Sequence, residues 1–151
     1  MFKTRKRNIT KTPFIRANTY LEWTLAFIPV LIGGSIYLLY RPKKILMFST
    51  LNKLGIMTEV DVARKSMEYI HLPDFVIYSL PAGLWTASYL MAMYLMTQHC
   101  TRRTRLFLSL PLPISAIVLE FMQLFDLCPG TFDIYDLICY IIPIVIFLKL
   151  I

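Results

Sequence analysis

The stretch Leu21–Tyr40 reads LEWTLAFIPVLIGGSIYLLY, and apart from Glu22 it carries no charge over twenty residues. As a helix it rises about 30 Å, the thickness of the hydrocarbon core of a bilayer. Pro29 and the pair Gly33, Gly34 would break a soluble helix, whereas a membrane tolerates them as a kink or a close-packing patch. The segment therefore reads as a first membrane span, ending at Arg41. Ahead of it, residues 1–20 hold Lys3, Arg5, Lys6, Arg7, Lys11 and Arg16 and no acidic residue. A basic arm before an apolar run is also the pattern of a signal peptide. Here the arm is long, no small-x-small cleavage site follows, and three further hydrophobic segments come later, so retention as a span is expected.

The composition points the same way. Of 151 residues, 57% are hydrophobic and only 17% charged, with a formal net charge of +7. Soluble domains typically carry about a quarter charged residues, so an ordinary soluble enzyme is not expected. Cys100, Cys128 and Cys139 are too widely spaced for a CxxC metal pair and are odd in number, which indicates neither a zinc site nor a disulfide framework. No cofactor and no metal is indicated by any motif. The basic arm has no reading helix behind it, and Phe14 and Tyr20 are too few for a base-stacking platform, so no nucleic acid is expected as a partner. Attraction to anionic lipid headgroups accounts for the arm.

Further along, Phe75–Thr97, Leu106–Phe125 and Ile134–Lys149 read as three more spans. Asp74 follows Pro73 and is expected to cap the second, with Trp85 and Tyr94 as aromatic residues of the kind frequent near membrane interfaces. Pro111 and Pro113 fall in the early turns of the third, and Pro143 kinks the short fourth. Between the first two spans, Ile56, Val60, Ala63 and Met67 recur at helical spacing within the charged segment Leu51–Ile70, which predicts an amphipathic helix on the membrane surface. The expected fold is all-α: a polytopic transmembrane bundle of about four spans, residues 21–151 forming one membrane domain behind a cytoplasmic arm of residues 1–20. A re-entrant or three-span arrangement is the alternative. With four spans, ten of the sixteen basic residues fall on the side of the N-terminus, so that side is expected to be cytoplasmic. Arg41, Lys43 and Lys44 then lie outside.

In this topology Asp74, Glu120, Gln123, Asp126, Asp133 and Asp136 approach one outer boundary. Glu120 and Gln123 share a helical face, as do Asp133 and Asp136, and both pairs flank the turn containing Pro129 and Gly130. Glu120 is the sharpest feature, because a carboxylate below the membrane surface must be protonated, paired or directed at a polar cavity. Its bland role is a neutral interhelical hydrogen bond, with Asp133 capping the fourth helix and Asp136 in its first turn. Recognition of a polar ligand or lipid headgroup is a second reading. A third is metal-assisted hydrolysis, with oxygen ligands from Asp74, Glu120, Asp133 and Asp136 suiting magnesium or calcium. His71, Asp74, Trp85 and Asp126 are accessory candidates, although a lone histidine beside the 72–73 Leu-Pro pair more often makes a surface hydrogen bond. No H-E-x-x-H, G-x-S-x-G or P-loop occurs.

Leu119-Glu120-Phe121-Met122-Gln123-Leu124-Phe125, followed by Pro129-Gly130-Thr131-Phe132-Asp133-Ile134-Tyr135-Asp136, resembles the closing motif of the VanZ-like family of small membrane proteins. That family shows a glutamate and glutamine ending one span, a proline- or glycine-bearing turn, and an aspartate pair opening the next. Its members often carry an arginine in the turn and an asparagine–glycine after the last aspartate; this chain has Thr131 or Phe132 and Tyr140 near those places. The resemblance implies a multi-pass protein of the bacterial cytoplasmic membrane linked to the cell envelope. It selects the same four polar residues and implies no settled reaction. Three function classes follow. The leading one is a non-enzymatic envelope protein that recognises a polar lipid headgroup or a membrane partner through Glu120, Gln123, Asp133 and Asp136. The others are a metal-assisted hydrolase of a lipid-linked or cell-wall substrate, and a structural subunit or homo-oligomer assembling through Gly33, Gly34 and the surface helix.

Overall fold

The computed structural model of the chain describes residues 19–43 and 46–151. The basic arm up to residue 18, and Lys44, lie outside the described residues. Among those described there are eight helices and no strand: α1 (Thr19–Tyr40), α2 (Leu46–Lys53), α3 (Met57–Met67), α4 (Asp74–Tyr78), α5 (Leu80–Met96), α6 (Arg102–Ser109), α7 (Pro111–Leu124) and α8 (Ile134–Leu150). The chain is all-α, as its apolar periodicity requires. Tyr20–Tyr40 within α1 is long and apolar enough by itself to cross a membrane. Helices α6 and α7 reach that length only as a pair, bent by 43°, and α5 and α8 have 17 residues each.

Helix α5 is the centre of the bundle, packed against α1 on one side and α8 on the other, with α7 lying on α8. The inward faces are mostly small or polar, with Leu90 of α5 and Phe147 of α8 as the large apolar exceptions. Ala26 and Gly33 of α1 are buried, as are Ser79, Pro81, Gly83, Thr86 and Ser88 along α5, Ser109 and Pro113 at the α6–α7 bend, and Glu120 of α7. Many of the large apolar side chains point outward: Leu31 is 66% exposed, Phe107 78% and Ile146 54%. A soluble domain sorts residues the other way, burying Leu, Ile and Phe. Small residues inside let backbones approach, which is the packing mode of helices in lipid. At Gly83 an added Cβ would lie 2.9 Å from both Cβ and the carbonyl oxygen of Cys139, and at Gly33 2.9 Å from Nε1 of Trp85.

Several hydroxyl groups on these helices are satisfied locally, although that of the buried Ser109 has no hydrogen-bond partner among the described residues. Thr24, Ser35, Thr86 and Thr97 each donate to the carbonyl four residues back, at 2.7, 2.8, 2.9 and 2.6 Å. Ser88 instead crosses to the carbonyl of Ala26 and ties α5 to α1. Such bonds leave few polar atoms needing water.

Several element boundaries differ from the sequence expectation. The segment expected as a second span is divided at Ser79, just before Pro81, into α4 and α5. Asp74 is not the cap of α4: Pro73 holds that position and Asp74 stands in the first turn. The helical segment expected from Leu106 begins at Arg102, because Thr101 caps it by accepting the amide of Thr104 at 3.3 Å. Arg105 folds back to the carbonyls of Thr97 and Gln98, at 3.0 and 3.1 Å through Nη2, and closes the end of α5. The surface helix is two helices, broken at Gly55 with φ of +74°. On α3 the half-buried face includes Asp61 and Arg64, whereas Ala63 is exposed. Arg64 donates to the carbonyl of Leu38 at 2.5 Å, and Asp61 pairs with Lys43 at 2.5 Å. Val60 and Met67 of the expected stripe share this half-buried face, so α3 is held by apolar contact together with polar anchoring near the end of α1. All three cysteines are free.

The α5–α8 crossing is sensitive to one methyl group. Gly83→Ala should lower the thermal stability of the detergent-solubilised protein by about 1–3 kcal/mol, because the obstacle is the Cys139 backbone. Gly34→Ala meets nothing within 4 Å and should be neutral or stabilising by up to about 1 kcal/mol, which thermal unfolding of the two variants side by side will measure.

Candidate functional site

The up-and-down order of the long helices brings four chain segments to one end of the bundle: the close of α1, the α4–α5 break, the last turn of α7 and the first turn of α8. The aspartate that opens α8 has a structural duty. Asp133 caps the helix, its Oδ1 accepting the amide of Tyr135 at 2.8 Å. Its other oxygen, Oδ2, takes the hydroxyl of Ser79 at 3.5 Å. Ser79 is fully buried and its hydroxyl also stands beside Asp136. One hydroxyl proton thus serves two carboxylates.

Glu120 falls on the inward stripe of α7 and is only 6% exposed. The amide of Asp133 faces its carboxylate, and both Asp133 and Asp136 are near enough to act on it electrostatically. Its Oε2 and the Oδ1 of Asp136 are buried, and neither has a hydrogen-bond partner among the described residues. Gln123, one turn on, lies against Gly130: an added Cβ there would sit 2.6 Å from Cδ of Gln123. Gly130 has φ of +138°, a region that residues with a Cβ rarely enter. The turn is therefore built on glycine for two reasons, backbone conformation and the space that Gln123 fills. Of the four polar residues expected from sequence, Glu120, Asp133 and Asp136 lie within electrostatic reach of one another, while Gln123 packs against the glycine of the turn.

Two contributors lie beyond the sequence expectation. Arg41, a boundary charge by its place in the sequence, folds over the cluster. It donates through Nη2 to the carbonyl of Tyr78 at 3.0 Å. Its guanidinium lies 4.6 Å from the ring centre of Tyr78 and 5.2 Å from that of Tyr37. It is close enough to Asp136 to act on it electrostatically. Ser79 is the other, since nothing in its neighbourhood in sequence marks it out from the other serines. The cluster thus has three carboxylates and one guanidinium, with the Ser79 hydroxyl between two of the carboxylates and the Tyr140 phenol within electrostatic reach of Glu120 and Asp136.

The accessory candidates lie elsewhere. Trp85 packs on α1 beside Gly33, its ring 5.3 Å from that of Tyr37. Asp126 is exposed in the turn with φ of 55°. His71 and Asp74 line a separate groove of about 730 Å³ under α3, together with Lys43, Asp61 and Arg64; His71 approaches only the carbonyl of Tyr69, at 3.3 Å. Among the described residues no three of His, Cys, Asp and Glu are grouped so as to hold a metal ion. No family model, curated protein or solved structure matches the chain.

Asp133→Ala should destabilise the protein by about 1 kcal/mol through loss of the cap, whereas Asp133→Asn keeps a capping oxygen and should stay within a few tenths of wild type. Thermal unfolding in one detergent distinguishes the two, and equal losses would show that charge rather than capping governs this position.

Proposed function

We propose that the chain is a four-span integral membrane protein that recognises the polar headgroup of a lipid at the outer end of its bundle. The spans are α1, α4 with α5, α6 with α7, and α8. The inverted sorting of residues supports this, with small and polar side chains between helices and Leu, Ile and Phe on the outside. The distribution of basic residues supports a cytoplasmic N-terminus, and the likeness of residues 119–136 to the VanZ-like closing motif supports a bacterial cytoplasmic membrane. The basic arm adds attraction to anionic lipid on the inner face.

One observation carries the function. Glu120 and Asp136, on facing helices, each present a buried carboxylate oxygen with no donor among the described residues. A buried acceptor left unpaired costs about 1–3 kcal/mol, more if charged, so the pair is a reason to bind something that supplies donors. Glu120 lies four residues before the end of α7, about 6 Å in helical rise, which is headgroup rather than mid-bilayer depth. A structural subunit assembling through Gly33 and Gly34 is less well supported, since Gly33 is already occupied by the contact with Trp85.

Extraction of the full chain from membranes with its surrounding lipid, followed by delipidation, tests the reading. Wild type should retain a tightly held lipid, and Glu120→Gln should express and fold normally but hold it about tenfold less tightly, as expected for loss of a charge-assisted hydrogen bond. Equal retention by both proteins would overturn the assignment.

A further inference from the structure

The donor and charge balance of the cluster restricts the headgroup, given the headgroup reading above. Glu120 Oε2 and Asp136 Oδ1 both lack a donor, so the ligand must bring N–H or O–H groups. Three carboxylates face one guanidinium, which favours a cation over a neutral sugar and opposes a purely anionic head. Both oxygens are covered by neighbouring side chains, so the donor that reaches them by side-chain rotation is small. A quaternary ammonium has the charge but no N–H, and it is ordinarily held by aromatic faces. Tyr37 and Tyr78 already hold the Arg41 guanidinium, Tyr135 packs against Phe75, and Tyr140, within electrostatic reach of Glu120 and Asp136, is a single ring rather than a cage. A divalent cation asks for six or more oxygen ligands, and Asp133 is committed to the α8 cap and to Ser79.

We infer that the site takes a phospholipid with a primary-amine headgroup, its ammonium between Glu120 and Asp136 and its phosphate toward Arg41. Arg41 carries a buried Nε without a hydrogen-bond partner, and a phosphate oxygen is the acceptor that such a group pairs with best. The apolar part of the ligand also has a place. A groove of about 410 Å³ between α1, α5 and α8 starts at Leu80, Gly83 and Cys139 and runs to Leu150. From Cys139 to Leu150 a helix rises about 16 Å, half the hydrocarbon thickness and thus the depth of one leaflet. Cys139 lies three residues beyond Asp136 and within its electrostatic reach, so the groove begins where the polar cluster ends.

The test is lipid competition on the purified full chain, read by native mass spectrometry, with phosphatidylethanolamine, phosphatidylcholine and phosphatidylglycerol of identical acyl chains. Phosphatidylethanolamine should be retained about tenfold over each of the others, and Glu120→Gln and Asp136→Asn should each remove the preference. A measurement on wild type alone guards against variants that fail to fold: soluble phosphoethanolamine should displace the bound lipid weakly and phosphocholine not at all. Retention of phosphatidylcholine or phosphatidylglycerol equal to that of phosphatidylethanolamine, but still lost in Glu120→Gln, would overturn the amine assignment and leave headgroup recognition standing. Soluble phosphoethanolamine binding as tightly as the lipid would overturn a lipid as the ligand. No discrimination among the three lipids together with no effect of Glu120→Gln would overturn both.

Discussion

At Gly33 and Gly83, helix α5 lies so close to α1 and α8 that neither glycine has room for a methyl group. That proximity is available only because the residues facing one another are small. It has two results at once. The outer faces are left to Leu, Ile and Phe, which in water would form an apolar surface far larger than a soluble monomer tolerates. At one end the close crossing brings Ser79 of the α4–α5 break against Asp133 and Asp136 of α8, and so sets the geometry of the polar cluster.

That cluster depends on a mismatch between acceptors and donors. Asp133 is well supplied, by the Tyr135 amide and the Ser79 hydroxyl. Glu120 and Asp136 are each left with one buried oxygen unpaired, and the cation beside them, Arg41, is held by the Tyr78 carbonyl and two aromatic rings. A bundle selected only for stability would pair such oxygens or replace them with apolar groups, since half-satisfied buried polar groups are unfavourable. The proposed headgroup site would use them as acceptors.

The local parts of this arrangement are legible in the sequence. Residues spaced by three on a helix share a face, so spacing alone groups Glu120 with Gln123 and Asp133 with Asp136 across a glycine-bearing turn. The capping role of Asp133 follows from its residue type and position. The parts that sequence does not reveal are those that depend on tertiary geometry. Arg41 reaches Tyr78 across 37 residues, and no local pattern distinguishes a boundary arginine that points to water from one that folds over a cluster. Ser79 matters because Pro81 follows a helix break there and α8 happens to face it. The helix after Gly55 keeps Val60 and Met67 of its apolar periodicity on the inward face but not Ala63, because Arg64 and Asp61 also meet the end of α1 and the residues after it, a contact that such periodicity does not register.

Headgroup recognition as proposed requires α8 to face lipid with one side and protein with the other. Spin labels placed singly at Ile138, Ile141, Val145 and Phe147 in the reconstituted protein test this through their accessibility to oxygen, which concentrates in the bilayer, and to a water-soluble relaxation agent. The exposed positions Ile138, Ile141 and Val145 should be open to oxygen and closed to the aqueous agent, with Phe147, 2% exposed, closed to both. Aqueous access at Ile141 and Val145 would contradict a membrane-embedded α8 and, with it, the depth assigned to the polar cluster.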